Sequence, residues 1–177
     1  MEFKEVVRKR RSTRRYTGKP VEKEKLQAAM EMALLAPSSK NTRSTRLMVV
    51  TNLDKAHALG RLRDWGSSLL EEAGAAIVVL GDPEASPMWQ INAALMANTL
   101  QLALVDQGLA SCWVHVGEYR TLQDDPESQR SEDYVKQVLP EIPEGYRVLA
   151  VISIGYADYT PKPLPEYEGP ERILFVE

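Results

Sequence analysis

Residues 87–107, PMWQINAALMANTLQLALVDQ, decide how this chain of 177 residues folds. The run reads as one long helix that stops at Gly108, the residue type that most readily closes a helix in the left-handed conformation. It is apolar on nearly every side. A surface helix shows one polar face, so a helix without one belongs at the centre of a core or against another subunit. Asn92, Asn98 and Gln101 interrupt it too often for a membrane span. The stretch therefore predicts a central helix and an oligomer.

Working outward, AAIVVL at residues 75–80 reads as a buried strand ending at Gly81-Asp82-Pro83, and SCWVHV at 111–116 as another. Strands at 47–50 and 147–154 lie farther out. Helices are expected at 2–9, at 21–36 up to Pro37, at 54–63, at 67–73 beyond a break at Gly66, and at 132–139. Four strands interleaved with helices predict an α/β or α+β sandwich. No repeat or linker divides it, so one domain over residues 1–177 is expected. Charged residues make up 27% and hydrophobic ones 44% of the chain, ordinary for a cytosolic globular protein. The front carries charge where an export signal needs an apolar run, so a soluble cytoplasmic protein is expected, without a membrane partner. One cysteine, Cys112, cannot form an internal disulfide or a cysteine-based metal cluster and suits a reducing compartment. In a strand it reads as a buried, inert thiol and not as a nucleophile.

The first twenty residues hold eight Lys or Arg against Glu2 and Glu5, a local charge of +6 in a chain of net charge −3. Within them, Arg10-Arg11-Ser12-Thr13-Arg14-Arg15-Tyr16 sets hydroxyl residues between guanidinium groups. Such forks bind phosphate bidentately, and Arg10 and Arg14, leaving the first helix in an extended segment, could reach opposite ends of one elongated ligand. The other reading is a solvated helix end whose cations complement the dipole. A nucleic-acid clamp would interleave stacking aromatics, whereas only Phe3 and Tyr16 flank the stretch. Neither a G-x-G-x-x-G nor a G-x-x-x-x-G-K-[ST] loop is present, nor a G-x-S-x-G elbow. His57 and His115 are far apart with no carboxylate at ligand spacing, so no metal site is expected. A site rich in donors but poor in acid–base groups points to a cofactor that does the hard chemistry. A second polar cluster, Ala36-Pro37-Ser38-Ser39-Lys40-Asn41-Thr42-Arg43, reads either as a loop of turn formers or as part of that site.

Taken in order, Arg10-Arg11-Ser12-x-Arg14 with Lys19-Pro20-Val21, Ala36-Pro37-Ser38-Ser39-x-Asn41, Asn98 to Ala103 leading into Gly108-Leu109-Ala110-Ser111-Cys112-Trp113, and Ile152-Ser153-Ile154-Gly155-Tyr156 resemble the FMN-dependent nitroreductase family across nearly the whole chain. The resemblance implies an α+β fold, with a mostly antiparallel central sheet flanked by helices in a homodimer. It implies a flavin-dependent oxidoreductase in which NAD(P)H reduces FMN and a nitroaromatic, quinone or similar small acceptor then takes the electrons by a ping-pong scheme. A flavin storage, sensing or remodelling role on the same fold is the alternative. Arg10 and Ser12 would contact the phosphate or ribityl chain, with Arg11 beside them. Arg14 would sit at the N1/C2=O edge of the flavin, where a guanidinium favours the reduced form. Pro37, Ser38, Ser39 and Asn41 would reach FMN from the other subunit, and Trp113, Val114 and His115 would line the ring. Arg172, or failing that Lys162, would complete the phosphate clamp; no side chain is assigned as a catalytic acid or base. The family often reads N-x-Q-P-W where this chain has Asn41-Thr42-Arg43-Ser44-Thr45, which implies a wider, more cationic acceptor pocket. No insertion after Pro83 provides a lid.

Overall fold

The computed structural model describes residues 1–162, 164 and 172–176. Among them run α1 (Phe3–Lys9), α2 (Lys23–Ala33), β1 (Thr45–Val50), α3 (Leu53–Ala58), β2 (Ala75–Gly81), α4 (Trp89–Asp106), β3 (Ala110–His115), α5 (Ser131–Val138) and β4 (Arg147–Gly155). The sheet order is β1-β2-β4-β3 and every adjacent pair is antiparallel, which resolves the expected sandwich as α+β.

Side-chain alternation along a strand explains the layering. Every residue of β2 is buried. Its Ala76, Val78 and Leu80 pack with Ala56, Leu59, Leu70 and Val135 on one face of the sheet. Ala75, Ile77 and Val79 pack on the other face with Leu26, Ala29 and Ala33 of α2 and with Ala93, Ala97, Leu100 and Leu104 of α4. The long helix is thus central, as its composition requires, but it is not enclosed all round: Ile91 and Leu95 are exposed. No helix among the described residues is long and apolar enough to cross a membrane.

Two expected helices are shorter. The 54–63 piece is α3 followed by a 3₁₀ turn at Leu59–Arg61, and the 67–73 piece is a 3₁₀ turn at Ser68–Glu72. The buried Ser67 hydroxyl lies 2.7 Å from the carbonyl oxygens of Gly60 and Arg63, occupying acceptors that a continuing α-helix would use. Similarly, α2 ends at Ala33 because the amides of Leu35 and Ala36 bond three residues back, tightening the last turn before Pro37.

Candidate functional site

The basic front segment is fixed to the sheet. The Arg10 amide closes α1 on the Val6 carbonyl at 3.0 Å, after which the chain extends. Ser12 bridges Ser111 at the start of β3, and the Thr13 amide donates to the Ser111 carbonyl at 3.0 Å. Thr13 is buried, so its neighbours Ser12 and Arg14 face outward. Behind them the Tyr16 hydroxyl donates to the Thr13 carbonyl at 2.7 Å and lies 2.6 Å from Ser153 Oγ. Burial pushes the Tyr16 hydroxyl pKa well up, keeping it neutral. Its ring rests on Gly155, where an added Cβ would come within 2.9 Å of Cδ1, so the close approach needs glycine. Gln101 of α4 completes the anchor with a 3.4 Å bond from Nε2 to Ser111 Oγ.

Arg14 and Trp113 line one cleft of about 710 Å³, together with Cys112, Arg63, Trp65 and Glu71. Arg14 Nη1 is 3.3 Å from the Ser12 carbonyl oxygen. Burial raises the Cys112 thiol pKa against the opposing pull of the Arg14 charge, a Ser12 hydrogen bond and the Arg10 charge. Of the three residues expected to hold the ligand, Arg14 lines the cleft, Ser12 pairs with Ser111 at the start of β3, and Arg10 lies outside the cleft lining; Cys112 is a buried thiol held in its protonated form. Arg11 behaves differently: its Nη1 donates to the Arg8 carbonyl and, at 2.8 Å, to that of Arg10, so its guanidinium caps α1.

Along β3, Trp113 and His115 share a face and their rings stack at 6.2 Å and 16°. His115 meets Tyr119 edge-on at 6.1 Å, and Arg63 covers the Tyr119 ring at 3.6 Å. Burial, then the Arg63 charge, lowers the His115 pKa, so the imidazole is neutral near pH 7. The side chain of Val114 points into the core. Of the three residues expected along the ring, Trp113 alone lines the cleft, and its half-buried side chain also packs on the α2 and α4 side of the sheet.

The loop after α2 is built from another part of α4. Buried Asn92 accepts the Ser39 amide at 2.8 Å and donates to Ser44 Oγ at 2.9 Å, with longer contacts to Thr42 and Ser86 hydroxyls at 3.4 Å. Ser38 Oγ accepts the Arg43 amide at 3.0 Å. So held, Lys40, Asn41 and Arg43 all adopt positive φ, at 51°, 53° and 49°. Left-handed conformations of residues with a Cβ concentrate at functional loops. Pro37, Ser39 and Asn41 are exposed and Ser38 half-buried. Ser44 and Thr45 are buried, Ser44 hydrogen-bonded to Asn92 and Thr45 opening β1, whereas Arg43 is exposed.

Within one chain the two clusters stay apart: no residue of 37–43 lines the Arg14 cleft. Asn92 and Gln101 are nine positions apart on α4, about 14 Å along its axis and on opposite faces. Lys162 and Arg172 are exposed and line neither. Asn92, Gln101, Tyr16, Arg63 and Trp65 join the site only in the folded chain; in the sequence Asn92 and Gln101 are polar residues in an apolar helix, Tyr16 closes the basic stretch, Trp65 precedes Gly66, and Arg63 carries no signal.

The nitroreductase family model matches residues 7–65 and 54–156. An Archaeoglobus fulgidus protein provisionally named NADH dehydrogenase/NAD(P)H nitroreductase is 29% identical over 85% of this chain and 83% of its own. An FMN-dependent nitroreductase of known structure from Clostridium difficile is 34% identical, covering 97% of this chain and 98% of that one with a TM-score of 0.88. A Parabacteroides distasonis structure with the same provisional NADH dehydrogenase/NAD(P)H nitroreductase name is 27% identical, covering 99% and 98% with a TM-score of 0.83. Because the family model spans most of the chain and its motifs fall on the segments that build the cleft and the strained loop, the chain belongs to the nitroreductase family.

Proposed function

We propose that the chain is an FMN-dependent NAD(P)H oxidoreductase that works as a homodimer and passes electrons to a nitroaromatic, quinone or similar small acceptor. The observation that carries this reading is Arg14 and Trp113 sharing one cleft, on a segment fixed to β3 through Thr13 and Ser111. The residues fit the cofactor. Arg10, Arg14 and the Ser12 hydroxyl supply cationic and neutral donors for a phosphorylated ligand, and the cleft volume is within the range of about 300–1,000 Å³ typical of ligand sites. FMN, when bound, supplies the hydride and electron-transfer chemistry that no side chain here offers.

The chain's own work is binding and electrostatics. Arg10 and Ser12 hold the phosphate end, with Arg172 or Lys162 as the further cation. Arg14 places fixed positive charge at the ring end, where negative charge develops. Trp113 forms a wall, with Val114 and His115 contributing through their backbone. No proton-transfer role is assigned to Cys112 or His115, and donor and acceptor occupy one place in turn. Pro37, Ser38, Ser39 and Asn41 complete the partner's site. The second copy is supported by the exposed apolar side of α4 and its entry, Met88, Ile91 and Leu95 at helical spacing, beside Met32, Leu34 and Leu35 at the end of α2.

The test is to purify the protein, identify the released flavin, and add NADH or NADPH without oxygen. Bleaching of bound FMN, its restoration by 1,4-benzoquinone, parallel initial-rate lines and a dimer in sedimentation are expected. Retained FMN that neither donor bleaches points instead to flavin storage or sensing, and a monomer with full flavin stoichiometry overturns the shared site.

A further inference from the structure

The loop 61–67 carries the most exposed tryptophan of the chain on a rigid base. Ser67, fully buried, accepts the Arg63 amide at 3.2 Å while reaching the Gly60 and Arg63 carbonyls. Arg63 is stacked on Tyr119, and Asp64 Oδ2 accepts the Gln123 amide at 2.8 Å. Gly66 turns the chain at φ +82° with open space around it, a conformation that a Cβ would strain. Every neighbour of Trp65 is thus tied down or shaped for the turn, while Trp65 itself is 79% exposed. An indole left in water forgoes the large favourable burial of an aromatic side chain, so it contributes little to this chain's own core. It lines the same cleft as Arg14 and Trp113.

Resting on the oxidoreductase reading above, we propose that Trp65 is a specificity-determining contact residue: its indole stacks on the planar, electron-poor ring that enters the cleft. The electron-rich face of an indole complements an electron-poor ring in offset stacking. A nitroaromatic or quinone acceptor has such a ring, and so has the oxidised nicotinamide. The preorganised loop base means that the contact needs no folding of the loop on binding.

The probe is 4-nitrobenzoate, titrated into the oxidised FMN-loaded protein without NAD(P)H and read from the flavin absorbance. Trp65→Ala should bind it about tenfold more weakly, the loss expected for one aromatic stacking partner, and Trp65→Phe should stay within about threefold of wild type. In turnover, a KM rise for 1,4-benzoquinone that greatly exceeds the rise for ferricyanide, which has no ring, assigns the contact to the acceptor. Weaker product inhibition by NAD(P)+, with the benzoquinone KM unchanged, assigns it instead to the oxidised nicotinamide. Wild-type binding by Trp65→Ala overturns the proposal, as does a shift of that variant from dimer to monomer in sedimentation, which makes Trp65 a contact between copies. A wild-type protein that holds no flavin, or whose flavin NAD(P)H does not bleach, fails the oxidoreductase reading and not the stacking argument alone.

Discussion

Replacing Asn92 with alanine should cost about 2–4 kcal/mol of stability. Two of its hydrogen bonds, 2.8 Å from the Ser39 amide and 2.9 Å to Ser44 Oγ, are short; the first is half-buried and the second buried. Each contributes about 1 kcal/mol net, and the buried Ser44 hydroxyl left without that partner adds roughly 1–3 kcal/mol. Alanine recovers about 0.6 kcal/mol in helix propensity, which offsets only part of this. At roughly 2–4 °C per kcal/mol for a protein of this size, the melting temperature should fall by about 5–15 °C. Circular dichroism melts of Asn92→Ala and Asn98→Ala make the comparison fair, because Asn98 is on the same helix but exposed and should change stability by about 0.5 kcal/mol or less. Freed from its anchor, the 38–43 loop should also relax from its left-handed conformations, so flavin retention should fall with stability. Equal melting temperatures for the two variants would refute the reasoning.

Arg10→Ala should weaken FMN retention by about 1.5–3 kcal/mol, as for a hydrogen bond to a charged group; equilibrium dialysis with wild-type retention would remove Arg10 from the phosphate site. Arg14→Gln should lower the FMN midpoint potential more than it weakens binding of the oxidised cofactor, with about 30 mV corresponding to roughly 1.4 kcal/mol; spectroelectrochemical titration measures it, and an unchanged potential with a large affinity loss would move Arg14 to the phosphate. Burial pushes Glu132 up, but hydrogen bonds from Lys136, the Val148 amide and Arg147 outweigh it and hold its pKa below the ordinary value. Its stabilisation is thus present above the unfolded-state pKa of about 4.3 and lost as pH falls through the lower folded value. Urea midpoints of wild type and Glu132→Gln should therefore differ at pH 7 and converge towards pH 3, and a gap that stays constant with pH would refute the linkage.

What the sequence showed and what it hid divide by range. The continuous apolar run at residues 75–80 located a strand buried on both faces, and the apolar residues on nearly every side of 91–105 located the central helix, because both signals are local. The 59–72 region deceived for a local reason too: Leu59, Leu62, Leu69 and Leu70 have helical spacing, yet Ser67 diverts the carbonyls. Arg10, Ser12 and Arg14 stood out as a charge pattern. Thr13, Tyr16 and Gln101 did not, since their roles depend on Ser111 and Ser153, which only folding brings to them. Asn92 looked like an interruption of a helix and is the hub of a loop fifty residues earlier in the chain. Trp65 carried no motif at all.

The segment from Ser12 to Tyr16 also covers the start of the outer edge of β3, where Cys112, Trp113 and Val114 follow immediately. An uncovered strand edge offers unpaired amides and carbonyls to any other chain. Trimming the front of the protein past Tyr16 would thus not yield a soluble scaffold that merely lacks its arginines. It would bare an apolar, hydrogen-bonding margin, and the expected product is an aggregate. Ligand capture and colloidal solubility are consequently written into the same five residues, and engineering one through that segment constrains the other.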